Sequence, residues 1–157
     1  MRKQGFLDKL KVQGKLELVE PSDNVCKSYL EKAERCLQSA KILLDNRLYE
    51  NSVSMSYYTM YNSLTAMLFK VGIKCENHSA SMILLKNLFG NVGMFKIISF
   101  AKEERIDKQY YVDFVLTKGS AQDLFAKAEE FLLQMKLLIN SLNTEDIKSI
   151  RSKYKTL

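Results

Sequence analysis

Residues that break helices are scarce in this 157-residue chain, which has one proline, Pro21, and six glycines. Proline removes a backbone donor and glycine supplies left-handed turns, so a chain with few of either suits long uninterrupted helices and points to an all-α class. Cysteine is scarce too. Cys26, Cys36 and Cys75 form no C-x-x-C pair and leave an odd thiol, which argues against a zinc knuckle or a disulfide scaffold and fits a reducing cytoplasm. No apolar run is long enough to span a bilayer, and Arg2, Lys3, Asp8, Lys9 and Lys11 interrupt the amino-terminal apolar residues, so no signal-peptide core is formed. The expected location is therefore cytoplasmic, away from membranes. Also missing are a glycine-rich phosphate loop, an H-E-x-x-H helix, a G-x-S-x-G elbow, a cluster of metal ligands and any internal repeat. The sequence thus points to no cofactor, no metal and no confident catalytic residue.

What is present suits one autonomously folding domain. The chain is 46% hydrophobic and 27% charged, ordinary for a globular protein of this length. Its formal net charge of +6 gives weak attraction to phosphate or another polyanion without constituting a recognition site.

Hydrophobic periodicity divides the chain. Phe6, Leu7 and Leu10 share one face of a short helix that Gly14 ends, and Leu16, Leu18 and Val19 lead to Pro21, so residues 1–20 are expected to form a docking arm. Ser22, Asp23 and Asn24 supply capping oxygens for a helix over 22–45, whose apolar stripe runs Val25, Tyr29, Ala33, Cys36, Leu37, Ala40, Leu43 and Leu44. The turn Asp45, Asn46, Arg47 returns the chain antiparallel into a central helix. There Tyr49, Val53, Tyr57, Met60, Tyr61, Leu64, Met67, Leu68 and Val71 form a broad apolar face ended by Gly72. Ser52, Ser54, Ser56, Ser63, Thr65 and Ala66 are small enough to admit a neighbouring helix, or to face solvent.

A loop over 73–78 is expected next, then a helix capped by Ser79 and stopped by Gly90. A short helix follows around Met94 to Phe100, with a polar end, and Tyr110, Tyr111, Val112, Asp113 and Phe114 read as an ordered connection. With Ser120 and Asp123 as a variant capping box, Leu124, Ala128, Phe131, Met135, Leu138 and Leu142 form the seam of the last long helix. Residues 144–157 are expected as a basic, frayed tail or short helix. The architecture is an antiparallel up-and-down bundle of four main helices with short additional ones, its body spanning 21–143.

Several residues invite a functional reading, each beside a plainer one. His78, the single histidine, suits a general base or phosphate ligand near neutral pH, although a lone histidine in a polar loop more often hydrogen-bonds locally. Tyr57, Tyr58 and Tyr61 cannot all occupy one narrow face, so at least one hydroxyl belongs at an interface or cleft, with core packing the commoner role. Arg105 near Tyr110 suits bidentate phosphate binding, with Glu103, Glu104 and Asp107 as nearer ion-pair partners. The cysteines read as packing residues.

In order, YLEKAERCLQSAKILLDNRLYENSVSMSYYTMYNSLTAMLFKVGIKCENHS, RIDKQYYVDF and AQDLFAKAEEFLLQMKLLI resemble the HEPN domains, in particular their small stand-alone prokaryotic branch, from about Pro21 to Asn140. The YY-x-M-Y helix and the K-x-G-I-K-x-x-x-H-S loop are the most specific parts. The resemblance implies an antiparallel helical bundle, a homodimer, a separately encoded nucleotidyltransferase partner in a toxin–antitoxin pair, and nucleotide or RNA binding. Carried over residue by residue, it marks Tyr58, His78, Ser79, Arg105 and Tyr110, and also Asn62, which stands where a histidine is common. The ribonuclease members pair an arginine with a histidine about one helical turn later, and no arginine precedes His78 at that distance, Lys70 and Lys74 being the nearer cations. The resemblance therefore implies a binding module ahead of an enzyme. The alternatives are a metal-independent ribonuclease toxin using His78 and Arg105, and a purely structural dimeric scaffold.

Overall fold

The computed structural model describes residues 5–110 and 117–157, the side chains of 107–110 excepted. In chain order it comprises α1 (Phe6–Val12), β1 (Leu16–Leu18), α2 (Asp23–Asp45), α3 (Tyr49–Val71), β2 (Ile73–Cys75), α4 (His78–Phe89), α5 (Val92–Tyr110), α6 (Lys118–Ser141) and α7 (Thr144–Tyr154). The fold is an all-α bundle, and α3 is its centre, packed against α2, α5 and α6.

The enclosure of α3 follows from its sequence. Tyr57, Met60, Leu64, Met67 and Val71 are fully buried on its apolar face, and the small residues Ser52, Ser56 and Ser63 are equally buried on others. These three therefore serve close helix approach and do not face solvent, whereas Ser54 is half-buried. Ala33 and Ala40 of α2 are buried opposite, and the Ser52 hydroxyl donates to the Ala40 carbonyl oxygen at 2.8 Å. With so little side-chain bulk between them, α2 and α3 pack closely along their length.

The helix ends show where local signals suffice. Ser22 caps α2, its oxygen accepting from the Val25 amide at 3.1 Å, and Gly72 ends α3 with φ of 77°. Two expected caps are corrected. Asn77, not Ser79, caps α4, its Oδ1 accepting from the Ala80 amide at 2.9 Å, and this draws His78 into the first turn of the helix. Thr117, not Ser120, caps α6, accepting from the Ser120 amide at 3.1 Å. In both places two capping-competent side chains stand close together, and the path of the incoming backbone selects between them. The helix expected around Met94 to Phe100 continues to Tyr110, with Lys96, Lys102, Glu103, Glu104 and Arg105 exposed or half-buried. The connection from Tyr111 to Phe114 lies outside the described residues.

The expected loop over 73–78 is partly a strand. β2 pairs antiparallel with β1 in the register Leu16 to Cys75, Glu17 to Lys74 and Leu18 to Ile73. Flanking backbone bonds extend the ribbon, from the Val19 amide to the Gly72 oxygen at 2.9 Å and from the Glu76 amide to the Lys15 oxygen at 2.8 Å. Three-residue strands are too short to show alternation, so this pairing is invisible to periodicity.

The carboxyl-terminal segment is ordered as α7. Asn143 and Asp146 cap it reciprocally, at 2.8 and 3.0 Å, and Tyr154 is buried with the Lys11 ammonium over its ring. From α7, Arg151 Nη1 donates to the carbonyl oxygens of Val19 at 2.8 Å, Val71 at 3.0 Å and Gly72 at 2.9 Å. These oxygens belong to the end of α3 and to the ribbon, so one guanidinium joins both ends of the chain to the central helix. A Cβ at Gly72 would fall 2.2 Å from this nitrogen and 2.4 Å from the Val19 oxygen, which leaves glycine as the residue that fits.

Bonds from a charged donor each contribute about 1.5–3 kcal/mol and are not additive. Replacing Arg151 with Ala is accordingly expected to destabilise the fold by about 2–3 kcal/mol. Urea unfolding checks the loss, and amide exchange should show it concentrated in β1, β2 and α7.

Candidate functional site

Midway along the central helix, a tyrosine floor meets a rim of cations and one imidazole. Tyr57 and Tyr61 are four residues apart on α3 and so share a face, and Tyr58 lies beside them. Their rings are close: Tyr57 to Tyr61 at 6.2 Å and Tyr57 to Tyr58 at 5.4 Å between centroids. His78 stacks on Tyr61 with centroids 3.7 Å apart, and its Nδ1 lies 2.7 Å from the Tyr57 hydroxyl.

Tyr57 is fully buried, so its phenol must place a proton inside the protein. Nδ1 of His78 is the acceptor at hand, and we assign the bond as donated by Tyr57 to a neutral imidazole whose own proton sits on Nε2. The charge state follows from the surroundings. Burial, then the positive charges of Lys102 and Arg105, hold the His78 pKa below its usual 6.5. Burial likewise pushes the phenols of Tyr57 and Tyr61 up, so both remain protonated donors at neutral pH.

α5 supplies the cations. Lys102 and Arg105 are three residues apart and share a face of that helix. Lys102 Nζ donates to the Ser79 hydroxyl at 2.6 Å, and the Arg105 guanidinium lies over the rings of Tyr58 at 5.0 Å and Tyr57 at 5.6 Å. A guanidinium over aromatic faces is held by cation–π attraction, an interaction that does not itself use up its N–H donors. An ion pair with Asp107 lies outside the described side chains.

The position of His78 is set from far away in sequence. Gly72 turns the chain out of α3, β2 carries it along β1, and the Asn77 cap starts α4 at His78. Pairing of β2 with residues 16–18 therefore fixes where the imidazole enters the bundle.

Of the residues marked in the sequence, Tyr58, His78, Ser79 and Arg105 come together. Asn62 does not join them. It is buried, its amide donates to the Tyr58 carbonyl oxygen at 2.8 Å, and it faces Cys36 Sγ of α2 at 3.7 Å. The Tyr110 side chain lies outside those described. Sequence reasoning passed over Lys102 as a site member, and treated Tyr57 and Tyr61 as core. The spacing 57/61 on one helix and 102/105 on another was the available signal, but only the packing of α5 on α3 and α4 shows that the two pairs meet.

Elsewhere, a cleft of about 670 Å³ runs between α2 and α6 over Leu37, Phe125 and Leu132, and shares no residue with the tyrosine–histidine cluster. Its rim charges include the ion pair of Lys136 with Glu34, so it offers less unsatisfied chemistry. Cys26, Cys36 and Cys75 are free thiols, and burial raises the pKa of the first two, which suits packing. Among the described residues, no three His, Cys, Asp or Glu side chains gather as a metal-ligand set.

Comparison with known proteins agrees with the resemblance seen in the motifs. Residues 26–138 match the family model of the HEPN domain. A protein of Methanocaldococcus jannaschii named "Putative toxin MJ0605" is 27% identical over 118 residues, which cover 72% of this chain and 87% of that protein. A second protein of that organism, named in the same way, is 28% identical over 73% of this chain and 81% of its own length. A "UPF0332 protein" of Thermotoga maritima is 25% identical over 76% of this chain and 95% of its own.

The depressed His78 pKa carries a stability consequence of definite sign. The unfolded chain takes up a proton first as pH falls through 6.5, so the contribution of neutral His78 is complete above that pH and is lost as pH drops toward the folded value. The wild type is expected to lose stability between pH 7.5 and 5.5 more steeply than His78→Gln. Parallel slopes in urea titrations of the two proteins would contradict the assignment.

Proposed function

The chain belongs to the HEPN domain family, and from that premise we propose that it is a non-catalytic binding module holding a nucleotide or RNA phosphate at His78, Ser79 and Arg105, with Lys102 as a further member. The observation that carries this reading is the convergence of two cations and an imidazole from α4 and α5 on the tyrosines of α3. Each group offers N–H donors, and a phosphate offers only acceptors. Tyr58 supports Arg105 from below, and Asn62 braces the same turn of α3 against α2.

As a working context, the module acts in the cytoplasm as a homodimer and as one half of a toxin–antitoxin pair with a separately encoded nucleotidyltransferase. The toxin names of the archaeal relatives support the pairing with an antitoxin. No helix among the described residues is long and apolar enough to cross a membrane.

Binding is favoured over cleavage by the hydrogen-bond assignment at His78. With Nδ1 accepting from Tyr57, the ring turns an N–H toward a ligand, whereas a general base needs a lone pair there. A second reading, metal-independent RNA cleavage by His78 and Arg105, draws on the imidazole being held neutral beside a guanidinium.

Calorimetric titration with nucleotides is expected to give saturable binding that Arg105→Ala weakens by about tenfold to a hundredfold, the effect of losing one charge-assisted contact. Flat titrations with nucleotides and with the nucleotidyltransferase would remove the reading. The cleavage reading is tested by His78→Ala, which should abolish RNA cleavage and growth inhibition if His78 is catalytic. Unchanged toxicity excludes it.

A further inference from the structure

The geometry points to a terminal phosphate monoester, carried as a dianion at the end of a nucleotide or RNA, as the ligand class of the cluster formed by His78, Ser79, Lys102 and Arg105. This rests on the phosphate-binding reading above and narrows it from any phosphate to one chemical form.

Charge is the first reason. Lys102 and Arg105 place two full positive charges on one face of α5, beside the first turn of α4. Among the described residues, the contacts of both are with uncharged groups, Lys102 with the Ser79 hydroxyl and Arg105 with the rings of Tyr57 and Tyr58. The same pair of cations also disfavours a charged imidazole at His78. A phosphate monoester has its second pKa near 6 and carries about two negative charges at neutral pH, whereas a diester carries one. In a half-buried site the second charge adds a Coulomb attraction comparable to the first.

Hydrogen-bond inventory is the second reason. After its bond to Ser79, Lys102 retains donors, Arg105 presents its fork, and His78 presents Nε2–H. Apart from the Ser79 hydroxyl, this set offers no acceptor. A monoester presents three terminal oxygens to such a set, and an internal diester presents two. The tyrosine floor closes the site below, because Tyr57 is fully buried and its hydroxyl is bonded to His78. His78, Ser79, Lys102 and Arg105 are each half-buried, so all four keep some exposure through which a ligand can reach them.

The single histidine makes the test clean, since the imidazole C–H signals of the full chain belong to His78. The probes are adenosine 5′-monophosphate and its phosphate methyl ester, which keep the base and sugar and differ by one charge and one terminal oxygen. Titrated at pH 7.5 and fixed ionic strength, the monophosphate is expected to shift the His78 signals saturably, with an affinity at least about tenfold above that of the methyl ester. Lys102→Gln is expected to bring the two affinities together while leaving the thermal midpoint within a few degrees of the wild type. Equal affinities in the wild type, or tighter binding of the methyl ester, overturn the monoester assignment and leave phosphate binding intact. No saturable shift with either probe overturns both. Should Lys102→Gln fail to fold, raising ionic strength on the wild type replaces it. The preference must then shrink with salt, and a salt-independent preference counts against a charge-based origin.

Discussion

Enclosure of α3 is the constraint from which the rest of the structure follows. A helix enclosed by α2, α5 and α6 over most of its length keeps several polar side chains from water, and apart from the Ser56 hydroxyl, which has no partner among the described residues, these are satisfied inside. Thr59, Ser63 and Thr65 do so by returning their hydroxyls to the carbonyl oxygens of their own helix, at 2.9, 2.8 and 3.0 Å. Ser52 uses the Ala40 carbonyl across the helix pair. Tyr57 is too long for either solution. Its hydroxyl reaches the end of α4, and the nearest acceptor there is His78. The imidazole thus enters the cluster as the answer to a burial problem, and that bond decides which ring nitrogen faces a ligand.

A second consequence runs through the chain ends. Residues far apart in sequence control the turn that delivers His78: β1 pairs with β2, and Arg151 from α7 closes the last carbonyl groups of α3. The Gly72 backbone and the Arg151 side chain fit together only because position 72 has no Cβ. The segments around Val19 and Arg151 therefore both bear on the turn that leads to His78.

Much of the cluster was legible in the sequence as parts. Tyr58, His78, Ser79 and Arg105 were each recognisable, and the HEPN resemblance grouped them before any contact was known. Their arrangement was not legible. Arg105 sits among acids in the sequence, which suggested ion pairing; that pairing did not foretell its contact with the rings of Tyr57 and Tyr58. Lys102 looked like one more charge at the end of a short helix. It became a site member because α5 runs on past it to Tyr110 and packs beside α4, which carries Ser79. Asn62 carried the right chemistry but points its amide at its own helix and at Cys36.

By itself the sequence determined the all-α class, the long helices, the antiparallel return after Asp45 and the stop at Gly72, because these depend on periodicity and on backbone conformations that act within a few residues. Tertiary structure decided the rest: the ribbon between residues 16–18 and 73–75, the anchoring of α7 through Arg151, and the meeting of His78 with Lys102 and Arg105. Each of these joins segments separated by tens of residues or more. Local pattern has no information about such partners, because what selects them is the burial of α3 and the requirement that its enclosed polar groups be paired.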